Sequence, residues 1–335
     1  MRAGGRRRAR GNSVSTEGTR KGTGRKSVLN DDGTQIENTP KRRRPATKRG
    51  RSAISVEKTA DANEHAMGAT VETGVEGLVK EFNDIRNATA APPPKTAFDA
   101  NPDKNRYKDV ICGDNSRVGA PLAAGRLGLR ARELGPDPRR EEGPIKKTVD
   151  DLWRLVWQEK AKAIVMLCGV MELGKRNISI RNVDVTEPEK ILTVSKLELT
   201  VDGEGSLICS HFLWNGWPDR GVPENFMACL RLLAKLKALS PVIVHCSAGI
   251  GRTGTIVGLE MAQQTLCSGE KLKMAALVKE LRAHRHGSVQ TDVQYVYMHR
   301  VLLGLAENKK AVKHEEIVAF FDAYEAFIKE RGATG

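Results

Sequence analysis

The run Pro241-Val-Ile-Val-His-Cys-Ser-Ala-Gly-Ile-Gly-Arg-Thr-Gly254 leaves this chain few ways to fold. The β-branched stretch Val242–Val244 reads as a short buried strand. Glycines at 249, 251 and 254 punctuate it, and a helical pattern runs from Thr253 to Thr265. Strand, tight turn and helix in succession form the repeating unit of a layered α/β domain. The turn gathers the N–H groups of Ser247, Ala248, Gly249, Ile250 and Gly251 at a helix N-terminus, where an anion is favoured. Its glycines let successive N–H groups point inward without Cβ obstruction. Cys246 opens the turn, and both effects favour its ionised thiol. Arg252 closes the turn, and its fork grips two oxygens of a phosphate where lysine would offer a point charge. Thr253 adds a hydroxyl for the thiolate or a departing sulfur. The pattern implies a loop that holds a phosphate dianion and attacks it with sulfur.

The rest of the chain supplies the layers around that unit. Val75, Leu78, Val79, Phe82 and Ile85 recur at helical spacing, and Ala91-Pro-Pro-Pro94 ends that helix. Thr148–Trp157 reads as a helix with Thr148 as N-cap and Asp151 three residues on. Ala163–Cys168, 191–201 and 206–214 read as strands. Helices are expected over about 224–239, 272–284, 292–306 and 314–329. The expectation is an α/β fold, a twisted mixed central sheet flanked by helices on both faces.

Charge is unevenly placed. The net charge is +14, yet residues 1–52 hold sixteen Lys and Arg against four acids, so that segment alone carries +12. Residues 1–70 are poor in large apolar side chains and are expected to form a disordered basic tail before a domain over 74–332. Within the tail, Lys41–Arg51 is a basic cluster suited to an import receptor or nucleic acid. No apolar run reaches the roughly 18 residues a membrane span needs, and the basic N-terminus lacks a signal-peptide core. The six cysteines are scattered without C-x-x-C spacing, which favours a reducing compartment over a disulfide scaffold. A cytoplasmic or nuclear monomer is expected, with no metal and no cofactor.

The full string His245–Gly254 resembles the signature of protein tyrosine phosphatases, and other segments resemble that family in the same order. These are Lys104–Val110 (its phosphotyrosine-recognition loop), Asp151–Trp157 and Ile164–Leu167 (core segments), Trp217-Pro-Asp219 (its mobile acid loop) and Val289–Tyr295 (its glutamine loop). The similarity spans about 74–305 and is strongest toward the soluble enzymes numerous in nematodes. The resemblance implies roles residue by residue. Cys246 is the nucleophile that forms a cysteinyl-phosphate. Asp219 is the general acid to the leaving phenolate, and Arg252 stabilises the charge on the transferring group. Gln290 and Gln294 orient the hydrolytic water. Tyr107 stacks on the substrate ring, so that only a long aryl phosphate reaches the sulfur, and Asp109 accepts hydrogen bonds from the substrate backbone. Arg106 and Lys108 flank the mouth and favour acidic peptides. Glu172 pairs with Arg252.

Two stretches depart from the family. In Gly119–Glu142, sixteen of 24 residues are Gly, Ala, Pro or Arg, the composition of a GC-rich stretch read in a shifted frame. They stand where the family has two strands, so an exposed sheet edge is expected. The segment after Lys175-Arg176 is also short. A phosphotyrosine-binding module without turnover is the alternative that these losses leave open.

Overall fold

The computed structural model describes residues 53–88, 91–117, 139–169 and 178–333, with 53–63 and 139–141 described by their backbone alone. In chain order the elements are α1 (Ala53–Asn87), α2 (Thr96–Ala100), β1 (Arg139–Glu141), α3 (Val149–Gln158), β2 (Ala163–Met166), β3 (Ser179–Glu189), β4 (Leu192–Val201), β5 (Gly205–Trp214), α4 (Phe226–Leu236), β6 (Val242–His245), α5 (Arg252–Ser268), α6 (Met274–His284), α7 (Asp292–Asn308) and α8 (His314–Arg331). The sheet order is β1-β6-β2-β5-β4-β3. β1, β6, β2 and β5 run parallel, whereas β5, β4 and β3 form an antiparallel meander. This is the mixed α/β sheet that the sequence pattern implies.

The alternation of side chains along β2 and β6 divides the core in two. Ala163, Val165, Val242 and Val244 pack with residues of α1 and α4–α8, while Ile164 and Ile243 pack with Val149, Trp153 and Val156 of α3. Both faces are therefore covered, which is why the two central strands read as continuous apolar runs.

Three expectations need correction. The helix expected from Val75 begins at Ala53, with a non-helical break at Gly74 (φ 65, ψ 173), and Ala66, Met67 and Thr70 beyond that break are buried. Residues 53–70 are thus helical and not part of a structureless tail. Residues 1–52, with the basic cluster, lie outside the described residues. Thr148 flanks α3 but its side chain makes no cap; its Oγ1 is spent on Ile145, accepting from the amide at 3.0 Å and facing the carbonyl at 3.3 Å. Of the irregular stretch, 119–138 lie outside the described residues, whereas Arg139–Glu141 form a strand paired with Ile243–His245. Glu172, Lys175 and Arg176 also lie outside the described residues.

Among the described residues no helix is long and apolar enough to cross a membrane, and no cluster of His, Cys, Asp and Glu is arranged to hold a metal ion.

Candidate functional site

β6 delivers Cys246 from the centre of the sheet, and α5 begins six residues later at Arg252. Cys246 is 2% exposed and Arg252 is 7% exposed, so both sit at the floor of the site. The loop between them is tied from three sides. The amide of Gly143 donates to the Ser247 carbonyl (2.9 Å), and the amide of Val289 donates to the Ile250 carbonyl (2.9 Å). Arg285 Nη2 donates to the Ala248 carbonyl (3.0 Å). With carbonyls thus held outward, the loop's N–H groups are left to face an anion. Gly249 has φ 69, a left-handed conformation that a side chain would strain.

Three further segments meet this loop. Arg252 Nη1 donates to the Trp217 carbonyl (3.1 Å), and its Nη2 lies 3.0 Å from Asp219 Oδ1. The Trp217 indole is anchored by donating to the Gly221 carbonyl (3.1 Å) and by packing against Trp214 and Tyr297. Tyr107, at the rim, shares a hydrogen bond with Ser247 Oγ (2.6 Å). Gln290 and Gln294 lie over Gly251, where an added Cβ would stand 3.0 Å from Gln290 Oε1 and 3.1 Å from Gln294 Nε2. Gln294 Oε1 accepts from the Gln290 amide (3.0 Å). Gln294 Nε2 and Thr253 Oγ1 are buried and have no hydrogen-bond partner among the described residues. Buried donors left unpaired are costly, and both belong to groups read from the sequence as facing the reaction.

The structure brings Cys246, Ser247, Ala248, Gly249, Ile250, Gly251, Arg252, Thr253, Asp219, Tyr107, Gln290 and Gln294 together. Asp109 is exposed on the loop that carries Tyr107. Arg106 is not free to receive an acidic peptide, because its guanidinium donates to the carbonyls of Gly143 (2.8 Å) and Pro144 (2.7 Å). It fastens the rim instead.

Arg285 is the residue that sequence reasoning missed. Besides Ala248, it bonds the Ile111 carbonyl (2.9 Å), Cys112 Sγ (2.7 Å) and Glu142 (3.2 Å). It therefore joins the Tyr107 loop, the end of β1 and the cysteine loop. Burial raises the Glu142 carboxyl, an effect Arg285 opposes. The only signal was a basic residue at a helix C-terminus, which reads as an exposed cap. Nearby, burial and then the neighbouring Cys246 push the Cys168 thiol up to about 11, so it stays protonated. Burial holds the His245 ring down near 4, hence neutral. A polar cavity of about 350 Å³ adjoins the site, lined by Arg86, Arg220, Gln290, Thr291, Asp292 and Arg331.

The family model described as protein-tyrosine phosphatase matches residues 141–304, which contain the cysteine loop, Asp219 and both glutamines. This chain carries a protein tyrosine phosphatase catalytic domain. Receptor-type tyrosine-protein phosphatase C of Rattus norvegicus is 31% identical over 259 residues, 68% of this chain and 20% of the relative. Tyrosine-protein phosphatase Lar-like of Caenorhabditis elegans is 31% identical over 255 residues, 68% of this chain and 12% of the relative. The chain thus spans a fifth or less of these relatives' length. Among solved structures, the catalytic domain of human protein tyrosine phosphatase non-receptor type 18 is 26% identical with a TM-score of 0.59, covering 68% of this chain and 95% of that one.

Proposed function

We propose that this phosphatase domain hydrolyses phosphotyrosine in proteins through a cysteinyl-phosphate. The observation that carries the reading is the convergence on Arg252. One guanidinium, 7% exposed, reaches both the Trp217 carbonyl and Asp219 from the helix that starts at the Cys246 loop. In the proposed first step the Cys246 thiolate attacks phosphorus, the P–O(aryl) bond breaks, and Asp219 gives its proton to the departing phenolate. The loop N–H groups and Arg252 stabilise the charge on the equatorial oxygens. In the second step Asp219 takes a proton from water held by Gln290 and Gln294, the P–S bond breaks, and phosphate and thiolate are released. Thr253, whose hydroxyl has no other partner among the described residues, is suited to stabilise that departing sulfur.

Tyr107 at the rim supports specificity for aryl phosphate, since a short phosphoserine would not reach a cysteine 2% exposed at the floor. Lys108 on the same loop and Arg86 and Arg220 of the adjoining cavity favour acidic residues around the phosphotyrosine. The experiment is hydrolysis of a phosphotyrosine peptide and of phenyl phosphate by the full chain beside Cys246→Ser. Turnover abolished by the substitution is expected. A folded wild-type protein that binds phosphotyrosine without turning it over would overturn the enzymatic reading in favour of a binding module.

The basic cluster Lys41–Arg51 is proposed, on its charge alone, to contact nucleic acid or an import receptor. Nucleic-acid binding should then fall steeply with salt.

A further inference from the structure

Two features at the end of α8 have no part in the chemistry above, yet they touch the segments that carry it. Gly332 follows α8 in a left-handed conformation (φ 57, ψ 38) and reverses the chain. That reversal aims the Ala333 carbonyl at the acid loop, where it accepts from the Val222 amide at 3.0 Å. The approach is close: a Cβ on Gly221 would collide with the Ala333 carbonyl oxygen and with the Pro218 ring. One residue before the reversal, Arg331 Nη1 lies 3.0 Å from Asp292 Oδ2. Asp292 opens α7 directly after Gln290 and Thr291, and Thr291 Oγ1 donates to the Arg220 carbonyl in the acid loop (3.2 Å). The end of α8 therefore grips the acid loop and the glutamine segment together.

The helix does not depend on this end for its docking. Ile317, Phe320, Phe321, Tyr324 and Ile328 are buried along its length, and Arg300 of α7 stacks on the Phe321 ring at 3.4 Å. The acid loop is held at its other end by Arg252, through the Trp217 carbonyl. Asp219 lies between these two attachments.

We propose that Gly332 and Ala333 form a positioning clasp for the acid loop, holding Val222 so that Asp219 stays beside Arg252 at the cysteine loop. The inference rests on reading Asp219 as the general acid. Gly332→Val tests it, because a β-branched residue is strained in the left-handed region whereas asparagine tolerates it. No atom lies within 4 Å of a Cβ built at Gly332, so Gly332→Asn is a fitting control.

Two readouts are made on the full-length protein. Amide hydrogen exchange of the peptide containing Val222 reports the clasp whether or not the protein turns over substrate. Expected is faster exchange in Gly332→Val, with Gly332→Asn like wild type. The second readout is the leaving-group dependence of kcat/KM, which reports the first step alone, where a misplaced acid matters only if the leaving group needs a proton. For Gly332→Val, kcat/KM on phenyl phosphate should fall about tenfold, with a change of less than about twofold on 2,4-dinitrophenyl phosphate. Unchanged exchange together with an unchanged ratio of the two rates would overturn the clasp. So would equal losses on both substrates, which mark a merely structural effect. A wild-type protein without turnover would sink the phosphatase reading, and the exchange measurement would then decide the clasp by itself.

Discussion

Asp219 lies 3.0 Å from the same guanidinium that would grip two phosphoryl oxygens, and its side chain is 73% exposed. A carboxylate so placed can swing from Arg252 to a leaving oxygen without crossing the packed core. Asp219→Ala should lower kcat on a phosphotyrosine peptide by about 10²–10⁴-fold, the usual scale of general acid–base help, and leave KM nearly unchanged. Values of kcat/KM over a range of leaving groups check it, because they report the first step alone, and a loss there that is equal for activated and unactivated aryl phosphates would contradict the assignment. Tyr107 sits at the rim, 36% exposed, with its hydroxyl on Ser247. Tyr107→Ala should raise KM for phosphotyrosine peptides about tenfold or more, given the usual worth of an aromatic stack together with its buried area, and should reduce discrimination against phosphoserine. Competition between the two peptides measures that ratio. At this scale most of the site was legible, because seven of its residues are contiguous from Cys246 to Arg252 and sit where a strand must meet a helix. Arg106 was misread for a physical reason. Whether a guanidinium is free depends on carbonyls at Gly143 and Pro144, some 37 residues away.

The phosphate loop is a surface between elements, and α6 governs it through Arg285. That residue reaches Ile111, Cys112, Glu142 and Ala248, which lie 174, 173, 143 and 37 positions from it in sequence. No periodicity or spacing can announce such a joint, since it exists only once α6, β1 and the Tyr107 loop are stacked. The same holds for β1. Arg139-Arg140-Glu141 has no strand propensity, and it is extended because β6 offers an open parallel edge. The N-terminal half of α1 was hidden by Gly74, which breaks the helical pattern, and by the small or polar residues it buries, such as Ala66 and Thr70. Arg285→Ala should destabilise the protein by about 3–5 kcal/mol, the range for leaving a buried ionic partner unpaired; Glu142 is that partner, its side chain 13% exposed. Arg285→Lys should recover little, because an ammonium cannot span four acceptors in one plane. Urea denaturation of both variants measures this. A lysine variant as stable as wild type would show that charge, and not the fork, holds the joint.

Across the molecule, stability is tied to keeping rings neutral in a basic protein. His299 lies in α7 beneath α1, where its Nδ1 meets Thr70 Oγ1 at 2.9 Å and its Nε2 has no partner among the described residues. Burial holds His299 down near 3 and His245 down near 4, against 6.5 in the unfolded chain. Between about pH 6.5 and 4 the unfolded chain therefore binds more protons at these two sites than the folded protein does. Stability should be full above pH 6.5 and fall as pH drops through that window, by up to about 1.4 kcal/mol per pH unit for each histidine. Glu142, whose carboxyl is raised by burial, acts in the opposite sense near its own titration and offsets part of the loss. The histidines outnumber it, and burial also lowers His211. Urea midpoints at pH 7.5 and pH 5.0 should therefore show a clear decrease in wild type. In His299→Gln, where an amide can still meet Thr70 but takes up no proton, the decrease should be smaller by about one histidine's share. Equal decreases in the two proteins would mean that acid lability originates elsewhere. Because α1 packs on α7 through this pair, loss of α1 should accompany the transition, and exchange in residues 64–87 should accelerate at pH 5.0 before exchange in β2 and β6 does.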